Sequence, residues 1–267
     1  MPENLSEYKQ RIVTDFNSRS NYDNQWRYNF ANRLVEFANL ESGQKVLDIA
    51  TGTGIVAIAS AKIVGSTGKV IGVDISSGML QQAQSKIDAE GLHNIELVET
   101  DAEDLSFPDH SFDAILCSSA IGYLTDILAA LRSWYRFLKP QGIVAFSCFA
   151  QTAMTISVLY RAKLQDYGIT ATNPNEILGT PEKCLKMLLE AGFKNIEIQT
   201  EQFGFYLSEA QSAWQANSNS ACGYEVFQLS PAKLAQLKAE YLIELEALAT
   251  DKGIWNDAKA FFVVAHK

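Results

Sequence analysis

The sequence predicts an α/β fold in which a doubly wound, mostly parallel sheet has helices on both faces. Two observations lead to this class. Apolar segments of strand length alternate with helical patterns over residues 45–149, and the first two of these segments end in closely spaced glycines and in an acid, respectively. Such alternation gives parallel strands joined by right-handed crossovers, so the carboxyl ends of the strands meet at one edge of the sheet.

Two helical patterns precede the first strand. The first covers residues 8–16. The second has its apolar residues on one face, namely Phe30, Leu34, Phe37 and Ala38. Between the two patterns a polar segment ends in an aromatic residue and an acid, Tyr22 and Asp23. Apolar residues at helical spacing predict helices, and we expect residues 1–40 to form a helical lid or support.

Residues 41–150 form the predicted α/β core. Its strands are expected near residues 45–50, 69–74, 95–99, 112–117 and 142–149. Apolar residues recur at helical spacing between the last two of these strands, and this pattern ends before Pro140. We expect the resulting amphipathic helix to cover one face of the sheet.

Residues 151–267 are predicted to complete the same domain with a cap and further strands. Helices are expected at residues 155–164, at 181–192, from Ser208 and from Pro231. Ser208 begins a Ser-x-x-Gln pattern typical of a helix N-cap, and proline is favoured in a first helical turn. Strands are expected at residues 195–205 and 260–265.

Acidic residues outnumber basic ones in this chain. There are 31 Asp and Glu against 22 Lys and Arg, a net charge of −9, and no basic run. We expect no nucleic-acid partner, because that affinity depends mainly on Lys and Arg neutralising phosphates. The N-terminus is polar and acidic, and no apolar run approaches the length of about eighteen residues that indicates a membrane span. We therefore expect a cytoplasmic protein without a membrane span.

The cysteines give no indication of a metal site. Cys117, Cys148, Cys184 and Cys222 include no Cys-x-x-Cys pair, and two of them lie in predicted strands beside apolar residues. Such cysteines behave as small apolar side chains, so we expect reduced thiols in or near the core.

The most informative motif lies between the first strand and the first core helix. Gly52-x-Gly54-x-x-Ala57 permits a sharp turn, after which the helix directs its N-terminal amides toward a ligand. Asp74 ends the second strand twenty positions after Gly54. A βαβ unit presents an acid there to ribose hydroxyls, so the motif fits a dinucleotide. S-adenosylmethionine has the same ribose and needs the same acid.

Two further acids favour the methyl donor over the dinucleotide. Asp48 lies within the first motif, at a position where an NAD-binding strand usually has an apolar residue, and Asp101 lies in the loop after the third strand. With these residues the chain resembles the class I S-adenosylmethionine-dependent methyltransferases. Within them it is similar to the small-molecule group that includes the ubiquinone and menaquinone C-methyltransferases.

This resemblance covers residues 46–149. Besides the acids, it is carried by residues 48–54, 112–119 and 138–142. Ala50 stands where many members have glycine, and residues 118–123 depart from the pattern of the quinone enzymes.

The resemblance implies a Rossmann-like sheet of seven strands with an antiparallel last strand, an acceptor cap, and S-adenosylmethionine as cofactor, with S-adenosylhomocysteine as product. It assigns the ribose to Asp74, the adenine faces to Ile75 and Met79, and the adenine edge to Asp101 and Ala102. The complete set of implied cofactor-binding residues is Tyr22, Asp48, Ala50, Thr51, Gly52, Gly54, Asp74, Ile75, Met79, Asp101, Ala102 and Ser118.

Each of these residues also has a purely structural interpretation. The glycines can serve the turn alone, Asp74 can cap the helix that begins near Ser76 or Ser77, and Asp101 can be a solvated loop acid. Their joint occurrence in order, at the spacing of the family, favours the cofactor site.

The expected reaction is in-line transfer of the methyl group to O, C or N of a small, apolar or cyclic metabolite. Tyr22 and Tyr123 are the catalytic candidates, because either could lie above the carboxyl ends of the strands. The three histidines are interpreted as surface residues. Aromatic residues expected around the acceptor are Tyr123, Phe149, Tyr160, Phe205, Tyr206 and Trp214.

Two alternatives stay open from the sequence. A nicotinamide-dependent oxidoreductase is expected to have a motif such as Tyr-x-x-x-Lys, whereas the fourth residue after Tyr160 is Leu164. A non-catalytic cofactor-binding partner would keep the same three acids. The Asn-Pro-Pro-Tyr motif of DNA and protein-glutamine methyltransferases does not follow the fourth strand, so a small-molecule acceptor is favoured. We expect a monomer or a homodimer.

Overall fold

Seven strands form the central sheet of the computed structural model, which describes residues 6–20 and 22–267. The strands of the described residues, in chain order, are β1 (Lys45–Ile49), β2 (Lys69–Asp74), β3 (Ile95–Glu99), β4 (Phe112–Ser118), β5 (Leu138–Phe149), β6 (Lys194–Gln202), β7 (Phe205–Leu207), β8 (Ala249–Thr250), β9 (Gly253–Asn256) and β10 (Lys259–His266). The central sheet has the order β3-β2-β1-β4-β5-β10-β6. β1 to β5 are parallel, and β10 runs antiparallel to both β5 and β6, which confirms the predicted fold class.

Helices cover both faces of this sheet. Those of the described residues are α1 (Glu7–Asn17), α2 (Gln25–Ala38), α3 (Ile55–Val64), α4 (Ser77–Ala89), α5 (Ile127–Phe137), α6 (Thr155–Asp166), α7 (Pro181–Ala191), α8 (Ala210–Ser218) and α9 (Pro231–Glu246). The two halves of the sheet diverge at β1 and β4, which are neighbours in space although two strands lie between them in the chain. In open α/β sheets a ligand binds at this switch point, beyond the carboxyl ends of the strands.

Alternate residues of the central strands divide the core into two layers. Leu47 and Ile49 of β1 pack with the apolar faces of α5 and α7, including the fully buried Trp134. Val46 packs on the opposite face, with α2 and α3. This alternation follows from the two-residue repeat of a strand. Burial of one such large apolar side chain contributes about 1.5–3 kcal/mol, so both faces fix the orientation of the strand tips.

A third apolar cluster lies in the cap. α6, α8 and α9 pack around Tyr160, Leu237 and Tyr241, all of which are buried. Beside them β7, β9 and β8 form a small antiparallel sheet. The sequence did not predict this sheet, because its strands have two to four residues and carry no clear alternation.

Two predictions about the cap are wrong in detail. The strand expected at residues 195–205 ends at Gln202, and residues 205–207 pair with β9 instead. The helix expected from Ser208 begins at Ala210, with Glu209 at the N-cap and no side-chain capping hydrogen bond. The pairing of β7 with β9 keeps the chain extended up to Leu207, so Ser208 does not reach the capping position.

β5 is longer than predicted and includes Pro140. It begins at Leu138 opposite Phe112, after which its register with β4 shifts before the pairing of Ala114 with Ile143. Gln141 has φ 68° within this irregularity. A β-bulge of this kind accommodates a residue without a backbone donor, which explains why proline does not end the strand.

Among residues 6–20 and 22–267, no helix combines the length and apolar character needed to cross a membrane.

Candidate active site

A cavity of about 320 Å³ lies at the switch point, above the carboxyl ends of β1, β2 and β4. This volume is within the range of small-molecule sites. All but one of the predicted site residues line it: Tyr22, Asp48, Ala50, Thr51, Gly52, Asp74, Ile75, Met79, Asp101, Ala102, Ser118 and Tyr123. We call it the larger cavity.

Gly54 is the predicted site residue that does not line this cavity. It has φ 80° at the N-terminus of α3, and a Cβ placed on it would come within 3.0 Å of the Cβ of Ala83 in α4. Gly52 differs, because a Cβ there would meet no protein atom closer than the Ala50 oxygen at 4.0 Å. The backbone at Gly52 therefore faces open space within the cavity, whereas Gly54 permits close packing of two helices.

Asp74 is placed by the end of β2. Its carboxylate accepts hydrogen bonds from the backbone N–H groups of Gly52 and Ser76, both at 2.8 Å. Burial raises the pKa of this carboxyl above its ordinary value, and these N–H donors oppose that rise. The Ile75 N–H also donates to this carboxylate, and because a carboxylate has about four lone-pair sites, acceptor capacity stays open for a ligand hydroxyl in the cavity. The alternative interpretation of Asp74 as the cap of α4 is wrong, because Ser76 occupies the N-cap.

Asp48 lies one strand away and is more deeply buried, with 1% of its surface exposed. Its carboxylate accepts a hydrogen bond from the Thr51 hydroxyl at 2.5 Å. Burial, reinforced by the nearby charge of Asp74, raises the pKa of Asp48 to about 7, although Thr51 opposes the rise. Near neutral pH this carboxyl is therefore close to its titration midpoint, and a positive charge in the cavity would favour its ionised form.

Asp101 is the acid that the resemblance assigns to adenine. Its carboxylate accepts from the Glu103 N–H at 3.0 Å and pairs with the ammonium group of Lys9 in α1. Lys9 also pairs with the Glu103 carboxylate at 2.8 Å. Burial lowers the pKa of Lys9, but both acids outweigh that effect and hold it above its usual value. No sequence pattern indicates this role for Lys9, which lies 92 positions from Asp101 in the chain.

The segment between α1 and α2 is also attached to the site. The Asp23 carboxylate accepts hydrogen bonds from the Thr53 hydroxyl and from the Lys86 ammonium group, both at 2.6 Å. Burial raises the pKa of Asp23, but Lys86 and Thr53 outweigh that effect and hold it below its usual value. The Asn17 side chain accepts from Ser76 at 2.7 Å. These contacts hold the first two helices across the mouth of the larger cavity.

The two tyrosines predicted to be catalytic both line this cavity and both contact Phe16. Their ring centroids lie 6.0 Å (Tyr22) and 6.1 Å (Tyr123) from that of Phe16, in edge-to-face arrangements. Arg27 lies over Tyr22, 4.1 Å from the ring centroid. Burial raises the pKa of Tyr123, so its hydroxyl stays protonated and can donate a hydrogen bond near neutral pH.

The structure separates the other aromatic residues that we expected near the acceptor. Phe149 lines the larger cavity, and Tyr160 lines a smaller neighbouring one. Phe205 instead packs against Trp26, with ring centroids 5.7 Å apart. Trp214 is a core residue of the cap, and Tyr206 is exposed. None of Phe205, Tyr206 and Trp214 lines either cavity, contrary to expectation.

The residues of the larger cavity fit an adenosyl sulfonium. Asp74 has free acceptor positions for ribose hydroxyls, and Ile75 and Met79 provide apolar walls for a purine. The open backbone at Gly52 leaves room for the methionine part. Asp48, a buried acid beside it, has a pKa of about 7, and a cation bound nearby would favour its negatively charged form.

The switch-point cavity, with acids at the tips of adjacent strands, is that of a Rossmann-like protein that binds an adenosyl group, and with the family match it identifies an S-adenosylmethionine-dependent methyltransferase of small molecules. The sequence profile of the ubiE/COQ5 methyltransferase family matches residues 18–169, and the chain belongs to this family. It is 30% identical over 218 residues to a demethylmenaquinone methyltransferase of Geobacillus stearothermophilus, covering 76% of this chain and 90% of that protein.

Other relatives share shorter segments. The aklanonic acid methyltransferase DauC of Streptomyces sp. is 36% identical over 146 residues, or 53% of this chain and 66% of that one. Solved structures confirm the fold. The YcgJ protein of Bacillus subtilis aligns with TM-score 0.62 and 20% identity, over 90% of this chain and 98% of that one. A SAM-dependent methyltransferase of Aquifex aeolicus aligns with TM-score 0.55 and 17% identity, over 98% of this chain and 99% of that one. The comparisons therefore favour methyl transfer over the nicotinamide alternative.

Proposed function

We propose that this methyltransferase holds its donor in the larger cavity and methylates an apolar or cyclic acceptor by in-line displacement. The observation that carries the proposal is the convergence of three acids, Asp48, Asp74 and Asp101, on one cavity above adjacent strands. Asp74 binds the ribose hydroxyls, and Asp101 with the Ala102 amide reads the adenine edge. The loop between β1 and α3 holds the methionine part.

The bound donor supplies an electrophilic methyl group on a sulfonium, so the protein contributes mainly orientation. Its strand tips and the loop at Gly52 fix the donor, while α1 and α2 exclude water from the cavity. Holding two reactants in near-attack geometry can supply roughly 7–11 kcal/mol toward the barrier. Attachment of the lid by Lys9 and Asp23 supports this role of residues 1–40.

The acceptor lies opposite Asp74, against the aromatic wall of the cavity. Tyr22, Tyr123 and Phe149 form this wall. Tyr123 donates a hydrogen bond to the acceptor rather than removing a proton from it, because burial raises its pKa. A quinone-like ring, as named for the demethylmenaquinone relative, fits such a wall. We assign residues 151–267 to the cap that completes the acceptor side.

The first test measures the donor. Calorimetry with S-adenosylmethionine, S-adenosylhomocysteine and NAD should show binding of the first two compounds only. Binding of NAD with comparable affinity would contradict the proposal. Turnover is then measured with methyl-labelled donor against a panel of quinols, phenols, cyclic enols and amines, and labelled product distinguishes an enzyme from a non-catalytic partner.

We further propose that the protein acts in the cytoplasm without a nucleic-acid partner, as a monomer or homodimer. Its net charge of −9 supports the second point, because phosphates repel an acidic protein. Light scattering of the purified chain distinguishes monomer from dimer, and cell fractionation checks the location.

A further inference from the structure

A second cavity of about 220 Å³ adjoins the larger one. We call it the smaller cavity. Both cavities share the following lining residues: Arg19, Ser119, Tyr123, Phe149 and Met154. A molecule in the smaller cavity therefore lies next to the aromatic wall to which we assign the acceptor.

Within the described part of the chain, the charged side chains in the wall of the smaller cavity are all positive, whereas the chain as a whole is acidic. Two arginines, Arg19 and Arg161, line it, and no aspartate or glutamate of the described residues does. The chain as a whole has 31 acidic and 22 basic residues, so an acid-free wall with two cations departs from its average composition. Such a wall favours an anionic occupant.

The two arginines differ in whether their charge is already neutralised. The Arg19 guanidinium forms two hydrogen bonds of 2.9 Å to the Asp15 carboxylate, one turn earlier in the chain. Arg161 has no ion pair within 4.0 Å among residues 6–20 and 22–267. The free charge in the smaller cavity is therefore that of a single guanidinium.

Partial burial of the Arg161 guanidinium destabilises its charged form. Burial lowers the pKa of Arg161, and the carboxylate of Glu176, which is not within ion-pair distance, does not offset that effect. Arginine nevertheless stays protonated in proteins, so the charge persists without a partner. An uncompensated, partly buried charge is unfavourable unless a ligand pairs with it.

Hydroxyl groups line the smaller cavity together with Arg161. Ser157 precedes it by four residues on α6, so the two side chains share one face of that helix, and both line the cavity. Thr172 contributes another hydroxyl to the wall. The planar fork of a guanidinium donates two parallel hydrogen bonds to a carboxylate, with which a serine hydroxyl can also bond.

We infer that the acceptor of this methyltransferase carries a carboxylate, which Arg161 binds in the smaller cavity while the rest of the acceptor lies against the aromatic wall. The inference rests on the proposed function, because it names the acceptor class of the same site. One unneutralised guanidinium matches a group of single negative charge. A phosphate ester carries close to two charges at neutral pH and would leave one of them uncompensated.

Benzoate is the probe for this site, with benzamide as its neutral counterpart. Both are titrated into protein saturated with S-adenosylhomocysteine, and the Nε–H resonances of arginine side chains are followed by NMR. The Arg161 resonance is identified by its loss in Arg161→Gln. We expect benzoate to shift it saturably, with an affinity about tenfold above that of benzamide, the value of one charge-assisted hydrogen bond.

Two variants and a control sharpen this test. Arg161→Gln should abolish the preference for benzoate, measured by saturation-transfer difference on the ligand. Arg161→Lys keeps the charge but loses the fork, so it should retain part of the preference. Arg132→Gln is the control, because Arg132 is exposed, pairs with Glu190 and does not line the cavity. Thermal melting confirms that each variant is folded.

Three results would overturn the inference. They are an Arg161 resonance that does not respond to benzoate, equal affinity for benzamide, and an unchanged preference in Arg161→Gln. Tighter binding of inorganic phosphate than of benzoate would also contradict a carboxylate. Failure of the proposed function has a different signature, because S-adenosylhomocysteine itself would then not bind in the calorimetric measurement.

Discussion

The ammonium group of Lys9 joins the carboxylates of Asp101 and Glu103, so that α1 is attached to the acid assigned to adenine. The three side chains are largely buried, with exposed fractions of 16% for Lys9, 7% for Asp101 and 12% for Glu103. An ion pair on the surface is screened by solvent and adds little to stability. A partly buried pair with hydrogen bonds adds about 1 kcal/mol or more to the free energy that holds α1 in place.

Replacement of Lys9 tests whether this attachment retains the donor. We expect Lys9→Ala to increase the dissociation rate of S-adenosylhomocysteine about five- to tenfold, because α1 then opens more readily. Stopped-flow displacement measures this rate. The control is Lys62→Ala, which removes an exposed pair with Glu90. An unchanged rate in Lys9→Ala would show that the lid is held by other contacts.

Replacement of Asp74 tests the ribose assignment. Asp74→Ala should weaken binding of both S-adenosylmethionine and S-adenosylhomocysteine by about 100-fold, the effect of losing two hydrogen bonds to a charged acceptor. Calorimetry measures the affinities. Glu99→Ala is the matched control, since Glu99 ends the neighbouring strand and is exposed. Asp74→Ala also leaves the Gly52 and Ser76 N–H groups without this acceptor, so its melting temperature is measured in parallel. Unchanged affinity in the folded variant would refute the assignment.

The two motif glycines should respond differently to alanine. Gly52→Ala places a methyl group in the cavity and should weaken donor binding at least tenfold. Gly54→Ala instead brings the new Cβ within 3.0 Å of the Cβ of Ala83. We expect this crowding to lower the free energy of unfolding by about 1–3 kcal/mol and to change donor affinity little. Gly91→Ala is the control for positive φ alone, because a Cβ there meets nothing within 4 Å. Calorimetry and urea unfolding separate the effects. Equal loss of affinity in Gly52→Ala and Gly54→Ala would contradict this division.

The buried carboxyl of Asp48 should make stability depend on pH. Its pKa rises from an ordinary value of 3.8 to about 7 on folding, mainly through burial. The folded state thus binds more protons than the unfolded state between these values, and the contribution of neutral Asp48 is lost as pH rises through 7. Asp48→Asn stays neutral, so its stability relative to the natural protein should increase by about 2–3 kcal/mol between pH 5 and pH 8.

Urea unfolding at both pH values measures this difference. Asp88→Asn is the control, because Asp88 is exposed on α4. A relative stability of Asp48→Asn that does not change with pH would show that the native carboxyl titrates near its ordinary value.

The sequence was sufficient to predict the sheet and most of the residues that line the larger cavity. Asp48, Gly52 and Asp74 are each placed by a strand end or by the turn that follows it, so short-range patterns determine their positions. The roles of Lys9 and Asp23 could not be predicted in this way. Each depends on contacts with residues at least 30 positions away in the chain. The local sequence around Lys9 or Asp23 is that of an ordinary helix or loop and does not indicate such long-range contacts.

The cap was predicted less well for a related reason. The short strands β7 and β9 form only because the chain brings residues 205–207 beside 253–256. This pairing also determines where the following helix begins, which overrides the local capping pattern at Ser208. Trp214 is likewise an aromatic residue of the kind expected in an acceptor wall. The packing of three cap helices instead places it against Tyr160 and Tyr241.

The wall of the smaller cavity extends beyond the part of the chain that defines its family. The family match ends at residue 169, whereas Thr172, Cys222 and other wall residues follow it. We expect mutations in that later stretch to change which compound is methylated and to leave the strand tips assigned to the donor undisturbed. Under the proposed arrangement, donor binding and acceptor choice therefore depend on different stretches of the chain and can change independently of each other.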